Sequence, residues 1–161
     1  MIEVHVGLGS NVDPMRHLTL GVEQLRQHGR DLRLSKIYEG PAIGIPGDDF
    51  VNAVARFRWP QGVVELMALV ASIHLQAGRG PKERAADGRS LDLDIQLFGQ
   101  AVDPRYRLPR KDVLAYDFVL APLAELSPLL PHPLLGSSMV ALWAPRAAHT
   151  RLRCLGDYVQ P

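Results

Sequence analysis

A strict alternation of apolar and polar residues in two segments constrains the fold of this chain more than any other feature. In residues 51–59 every second side chain is apolar, from Val51 to Trp59, while Asn52 and Arg56 fall on the opposite face. Residues 91–98 alternate in the same way. Because successive side chains of a β-strand point to opposite faces, a period of two indicates strands with one face against a core. The apolar face of such a sheet needs a covering layer, so helices are expected to pack on it.

The remaining periodicity completes the element order β-α-β-β-α-β. The predicted strands are 2–8, 31–38, 51–59 and 91–98, and the predicted helices run from Asp13-Pro14 to Gly29, over 61–77 and near 118–126. A proline-rich tail is expected over residues 128–136. This order predicts an α+β fold, a ferredoxin-like sandwich with a largely antiparallel sheet and helices packed on it. The length of 161 residues fits a single domain over residues 1–161.

Composition excludes several classes of protein. The formal net charge of +1 gives no support to nucleic-acid binding. Cys154 is the single cysteine, so an internal disulfide cannot form. No segment reaches the roughly 20 apolar residues that span a bilayer, and no signal peptide is visible. We therefore expect a cytoplasmic protein that acts on small molecules and binds neither nucleic acid nor membrane, and we favour a monomer over an oligomer.

The strand predicted over residues 91–98 carries two carboxylates on one face. Leu91, Leu93 and the apolar residues that follow are predicted to point to the core, so Asp92 and Asp94 point the other way, roughly 6.5–7 Å apart. Adjacent like charges disfavour a strand, and a bound Mg²⁺ would relieve the repulsion because it takes carboxylate and phosphate oxygens. The alternative is a pair of solvated acids on an exposed sheet face.

A basic segment directly precedes the acid pair. Residues 79–90 contain Arg79, Lys82, Arg84 and Arg89 within eleven positions. Cations beside a metal-binding acid pair suit a polyphosphate, because metal and guanidinium share its charge. The alternative is a solvated basic loop.

The turn after the first strand, Gly7-Leu8-Gly9-Ser10-Asn11, resembles a nucleotide-binding loop only superficially. The third glycine of the dinucleotide fingerprint is missing, and no P-loop pattern occurs in the chain. We interpret it mainly as a structural turn.

Several motifs occur in order between Val6 and about Pro133. They are Gly9-Ser10-Asn11, Gly40-Pro41-Ala42-Ile43-Gly44, Asp49-Phe50-Val51-Asn52-Ala53, Leu75-Gln76-Ala77-Gly78-Arg79, Gly88-Arg89-Ser90-Leu91-Asp92-Leu93-Asp94-Ile95 and Phe118-Val119-Leu120-Ala121-Pro122-Leu123-Ala124-Glu125. Together they resemble the 6-hydroxymethyl-7,8-dihydropterin pyrophosphokinase family of folate biosynthesis, and the R-[ST]-L-D-L-D-I run is highly specific to it.

The resemblance implies ATP-dependent transfer of pyrophosphate to the pterin's hydroxymethyl oxygen, which attacks the β-phosphorus while AMP leaves. It implies two Mg²⁺ ions at Asp92 and Asp94, and a pterin stacked between Phe50 and Phe118 with Asn52 on its polar edge. The other implied residues are Gly40, Pro41 and Ile43 for the pterin; Lys82, Arg84, Arg89, Ile95, Arg105, Arg110 and Lys111 for ATP; and Arg79, Arg89 and Arg110, with the two acids, for catalysis.

The chain also departs from the family pattern. The departures are Pro81, Ala85 and Ala86 in the basic loop, Ala71 and His74 at helix positions associated with ATP, Arg110-Lys111 in place of a histidine and its neighbour, and Tyr116 in place of an arginine. Three interpretations stay open: a working kinase with replacement cations, a paralogue that binds a pterin without transfer or acts on a different pterin, and a nucleotide-sensing module. Retention of both acids favours the working kinase.

Overall fold

The computed structural model describes residues 1–79 and 88–160. Its strands are β1 (Ile2–Ser10), β2 (Arg30–Leu34), β3 (Ile37–Gly40), β4 (Phe50–Trp59), β5 (Asp92–Phe98) and β6 (Arg153–Gly156). The helices in these ranges are α1 (Pro14–His28), α2 (Val63–Gln76), α3 (Asp112–Ala115), α4 (Asp117–Leu126) and α5 (Met139–Ala147), and a 3-10 turn lies at Pro104–Tyr106. The predicted strand 31–38 is divided into β2 and β3, which both pair with β4.

The strands form one sheet in the order β5-β1-β4-β3-β6, with β2 also on β4. Each pairing is antiparallel, so the predicted antiparallel α+β fold is confirmed. β1 lies between β4 and β5, with Gly9 opposite both Asn52 and Asp92. This register brings the candidate residues of β4 and β5 to the two sides of the Gly-rich end of β1.

Helices cover both faces of the sheet. α1 and α2 pack their buried residues, among them Leu18, Leu25 and Leu66, against the alternating apolar face of β4 predicted from the sequence. On the opposite face α4 packs over Val54, and Met139 of α5 joins this second core. α3, α5 and β6 were not predicted from the sequence.

A β-bulge in β5 overturns one part of the predicted alternation. Val6 pairs with Ile95 and His5 with Leu97, so Gln96 is an extra residue between them. A bulge places two successive residues on about the same face of a sheet. The sequence predicted that Leu97 packs with Leu91 and Leu93. That prediction is wrong, because Leu97 packs in the second core.

In the part of the chain that the structure describes, no helix combines the length and the apolar character needed to cross a bilayer.

Candidate active site

A cavity of about 250 Å³ lies over the ends of β1, β4 and β5. Its lining combines small, aromatic, amide and charged residues from distant parts of the chain: Gly7, Leu8, Gly9, Pro41, Ile43, Ile45, Phe50, Asn52, Ala53, Arg89, Asp92, Asp94, Gln96, Phe118 and Val119. Most of the residues that the sequence predicted for the pterin and the metal therefore meet in one place.

Two glycines of β1, Gly7 and Gly9, line this cavity with backbone atoms alone. A Cβ at Gly7 would come within 2.9 Å of Gln96 Nε2, and a Cβ at Gly9 within 2.9 Å of Asn52 Oδ1. Only glycine therefore lets these two amides lie over the strand without displacement. The turn interpreted as structural also shapes the cavity.

Two aromatic rings and an amide form one part of the lining. Phe50 and Phe118 both line the cavity, and Asn52 is 6% exposed at its wall. The ring of Tyr116 stacks on Phe118, with centroids 5.0 Å apart and planes 11° from parallel. Tyr116, which replaces an arginine of the family pattern, thus supports one face of Phe118. Rings in a dry slot suit a flat heterocycle.

The loop that follows β3 borders this slot and a second cavity of about 280 Å³ beside it. Pro41 and Ile43 line both cavities, whereas Gly40 lines the second one. Gly40 is packed closely, since a Cβ there would lie 2.7 Å from Leu152 Cδ2. All three predicted loop residues are therefore at or beside the slot.

Asp92 and Asp94 line the cavity from β5, and each is paired with an arginine. Arg79 bonds to Asp92, and Arg110 Nη2 lies 3.0 Å from Asp94 Oδ1. Burial, and after it the negative charge of Asp92, raises the pKa of the Asp94 carboxyl to about 6. The positive charge of Arg110 lowers this pKa, but by less than the other two effects raise it. A carboxylate whose charge is disfavoured by burial and by a neighbouring acid is stabilised by a nearby cation.

The acid pair suits a Mg²⁺ ion that is only partly ligated by protein. In the described ranges, no three His, Cys, Asp or Glu side chains cluster closely enough to hold a metal by themselves. Mg²⁺ commonly takes one or two carboxylates and completes its shell with water and substrate phosphates. Asp92 and Asp94, both on the cavity side of β5, provide such a donor set.

Hydrogen bonds to Asn11 and His74 position the segment of Arg89 and the side chain of Arg79 at the cavity. The Arg89 N–H donates to Asn11 Oδ1 at 2.7 Å, and Asn11 Nδ2 donates to the Asp48 carbonyl at 3.1 Å. His74 Nε2 accepts from the Leu93 N–H at 2.8 Å and lies 3.2 Å from Arg79 Nη1. His74, a departure from the family pattern, thus holds Arg79 beside Asp92.

A further group of cations lies next to Arg110. Arg107, Arg110 and Lys111 line one cavity, and Arg110 Nε donates to Asp112 Oδ2 at 2.7 Å. Arg105, predicted for ATP, is exposed and pairs with Asp103, and it does not line this cavity.

The other predicted positions divide into two groups. Ile95 packs against the core under α1 and α2, and Ala71 is exposed on α2. Pro81, Lys82, Arg84, Ala85 and Ala86 lie outside the described residues.

Sequence reasoning missed several residues of the site. Gly7 and Gly9 were visible as a motif, but their contact with Asn52 and Gln96 depends on strand register. Arg107 was present in the sequence without a spacing that distinguished it from Arg105. Strict alternation puts Gln96 on the same face as Asp92 and Asp94, but nothing in the sequence singled it out for a role.

Comparison with known proteins shows the family to which this chain belongs. The sequence profile described as 7,8-dihydro-6-hydroxymethylpterin-pyrophosphokinase (HPPK) matches residues 5–128. A Pseudomonas aeruginosa protein named 2-amino-4-hydroxy-6-hydroxymethyldihydropteridine pyrophosphokinase is 35% identical over 137 residues, covering 81% of this chain and 83% of the relative. A protein of the same name from Aquifex aeolicus is 30% identical over 139 residues, covering 83% and 86%.

The fold also matches solved structures. In the crystal structure of wild-type Plasmodium falciparum HPPK-DHPS, the matching region has a TM-score of 0.72 at 8% identity and covers 95% of this chain. The chain spans about half the length of that solved chain, 48%. At this low identity the match supports the fold.

Proposed function

Because the chain belongs to the 7,8-dihydro-6-hydroxymethylpterin-pyrophosphokinase family, we propose that it transfers pyrophosphate from ATP to the hydroxymethyl group of 6-hydroxymethyl-7,8-dihydropterin. The products are AMP and the pterin diphosphate, an intermediate of folate biosynthesis. The names of the relatives do not favour the alternative of a paralogue that binds a pterin without transfer.

A single observation carries this proposal. One cavity is lined by an aromatic and amide slot, at Phe50, Phe118 and Asn52, and by the acids Asp92 and Asp94. A pterin in the slot would present its hydroxymethyl group toward phosphates held at the acids. Such positioning is the main contribution that a protein makes to phosphoryl transfer.

In the proposed reaction the residues of the chain bind and orient. Phe50 and Phe118 hold the ring, and Asn52 bonds its polar edge. The hydroxymethyl oxygen loses its proton to solvent and forms a bond to the β-phosphorus, the bond from this phosphorus to the α-β bridging oxygen breaks, and AMP leaves with that oxygen. Arg79 and Arg89 are proposed to stabilise the charge that develops on the phosphate oxygens.

Asp92 and Asp94 would hold Mg²⁺, and we propose two ions. The metal, when bound, supplies Lewis-acid stabilisation of phosphate charge. The protein's part is to keep both carboxylates on the same side of β5 and to limit solvent around Asp94.

Arg110 and Lys111 are proposed to replace the phosphate contacts that the family pattern places elsewhere. Arg110 lies 3.0 Å from Asp94 and borders a cavity with Arg107 and Lys111, so a phosphate chain that reaches the acids also reaches these cations. Guanidinium groups grip phosphate oxygens bidentately. Lys82, Arg84, Ile95 and Arg105 stay predictions from the resemblance.

We further propose that residues 1–161 form one domain that works as a monomer in the cytoplasm. ATP and the pterin would be its partners, without nucleic acid.

The test is the release of AMP from Mg-ATP with and without 6-hydroxymethyl-7,8-dihydropterin. AMP should form only when both are present, and EDTA should abolish it. Absence of AMP at saturating substrates would contradict the proposal. Tight pterin binding in the same sample would then support the non-transferring paralogue.

A further inference from the structure

Gln96 is a buried amide in the cavity that the proposed reaction does not use. Its side chain is 2% exposed and lines the cavity. Within the described residues its Oε1 has no hydrogen-bond partner. Buried polar atoms without partners destabilise a fold, and most proteins avoid them. A bound ligand that donates a hydrogen bond to Oε1 would remove this cost.

Gln96 lies on the same face of β5 as Asp92 and Asp94, at the bulge. Because the extra residue shifts the register, Gln96 and Leu97 face the same side of the sheet, where Leu97 fills the second core. The Gln96 carbonyl accepts from the Arg110 N–H at 3.0 Å, which fixes the bulge. Its side-chain amide lies over Gly7, where a Cβ would come within 2.9 Å of Nε2. The backbone therefore leaves space for this amide at the cavity floor.

Asn52 occupies the matching position over Gly9. Two amides thus flank the bare backbone of β1 on the side that faces the cavity. An amide carries a donor and an acceptor, and rotation about its last torsion exchanges their positions. A pterin ring carries amino and ring N–H donors as well as carbonyl and ring-nitrogen acceptors.

We propose that Gln96 is a specificity-determining residue whose Oε1 accepts a hydrogen bond from an N–H of the bound pterin, beside the contact of Asn52. This inference rests on the proposed function, because it takes the pterin as the ligand of this cavity. Loss of the bond would remove affinity for the ring and leave ATP binding unchanged.

The experiment is a fluorescence titration of 6-hydroxymethylpterin with the wild type and with Gln96→Met. We expect about 10-fold weaker pterin binding in the variant, the usual range for one buried hydrogen bond. Mg-ATP affinity should stay within about twofold, which is roughly 0.4 kcal/mol. The melting temperature should stay equal or rise, because methionine has a similar shape and carries no unpartnered polar atom. Gln61→Met, at an exposed position before α2, is the matched control and should change none of these values.

A packing role predicts a different pattern. Unchanged pterin affinity in Gln96→Met would overturn the inference, and so would a lower melting temperature with pterin affinity retained. If Gln96→Met does not fold, Gly7→Ala tests the same amide, because the added methyl group must displace it. Pterin affinity equal to wild type in a folded Gly7→Ala variant would also overturn it.

Failure of the proposed function is distinguishable from failure of this inference. A wild-type protein that binds no pterin would overturn both. A wild type that binds pterin as tightly as Gln96→Met would overturn the inference about Gln96 alone.

Discussion

Replacing Asp94 with asparagine should make the protein more stable and inactive. The Asp94 carboxyl has its pKa raised from 3.8 to about 6, first by burial and then by the charge of Asp92. That difference of about 2 units, at about 1.4 kcal/mol per unit, corresponds to roughly 3 kcal/mol of destabilisation when Asp94 is ionised. This figure already includes the opposing attraction of Arg110, which keeps Asp112 as a partner in the variant, so the expected gain at pH 7 stays at about 3 kcal/mol.

The sign follows from proton linkage. Because the folded pKa is raised, the folded protein binds more protons than the unfolded chain between about pH 4 and pH 6, so stability falls as pH rises through this window. Asp94→Asn removes this dependence. The stability difference between variant and wild type should therefore be small at pH 4 and reach its full value at pH 7, equivalent to about 6–12 °C in melting temperature.

Urea denaturation at pH 4, 5, 6 and 7 in EDTA measures the stability, and AMP release in Mg-ATP measures the activity. Activity should fall by about 10³-fold or more, because a metal ligand contributes several kcal/mol to the transition state. Glu65→Gln, at an exposed position of α2, is the control for loss of one carboxylate. An Asp94→Asn protein that is less stable than wild type at pH 7, or that retains near wild-type turnover, would refute the reasoning.

Three further predictions test other parts of the molecule. Phe118→Ala should weaken pterin binding by about 0.5–3 kcal/mol through lost stacking and burial, measured by pterin fluorescence; unchanged affinity would place the pterin elsewhere. Arg110→Ala should slow AMP formation by about 10-fold or more with pterin affinity little altered, whereas Arg26→Ala, exposed on α1, should not; a change below about twofold would show that Arg110 does not act on the phosphates. Burial lowers the pKa of His5 to about 4, so between pH 6.5 and 4 the unfolded chain binds the proton first and the folded protein should lose up to about 3 kcal/mol as pH falls. His5→Gln should remove that loss in urea denaturation, and an identical pH profile in both proteins would contradict the assignment.

Local patterns in the sequence determined much of the fold. The alternation of residues 51–59 predicted β4 and the face that it buries, since a strand's two faces follow directly from its period of two. Gly78 correctly marked the end of α2, and its positive φ of 80° is a conformation that glycine adopts without strain. Asp92 and Asp94 were placed on one side of their strand by the same argument. These features depend on neighbours in the chain, so the sequence alone was enough.

Contacts between distant residues were decided by the tertiary structure alone. The bulge at Gln96 arises from the pairing of β5 with β1, and nothing within residues 91–98 announces it. The bond from the Arg89 N–H to Asn11 joins residues 78 positions apart. From the sequence, Tyr116 is only the replacement of an arginine, whereas the structure shows that its ring stacks on Phe118. Strand register and the packing of distant segments bring such groups together. The periodicity of one segment contains no information about its register or its packing partners.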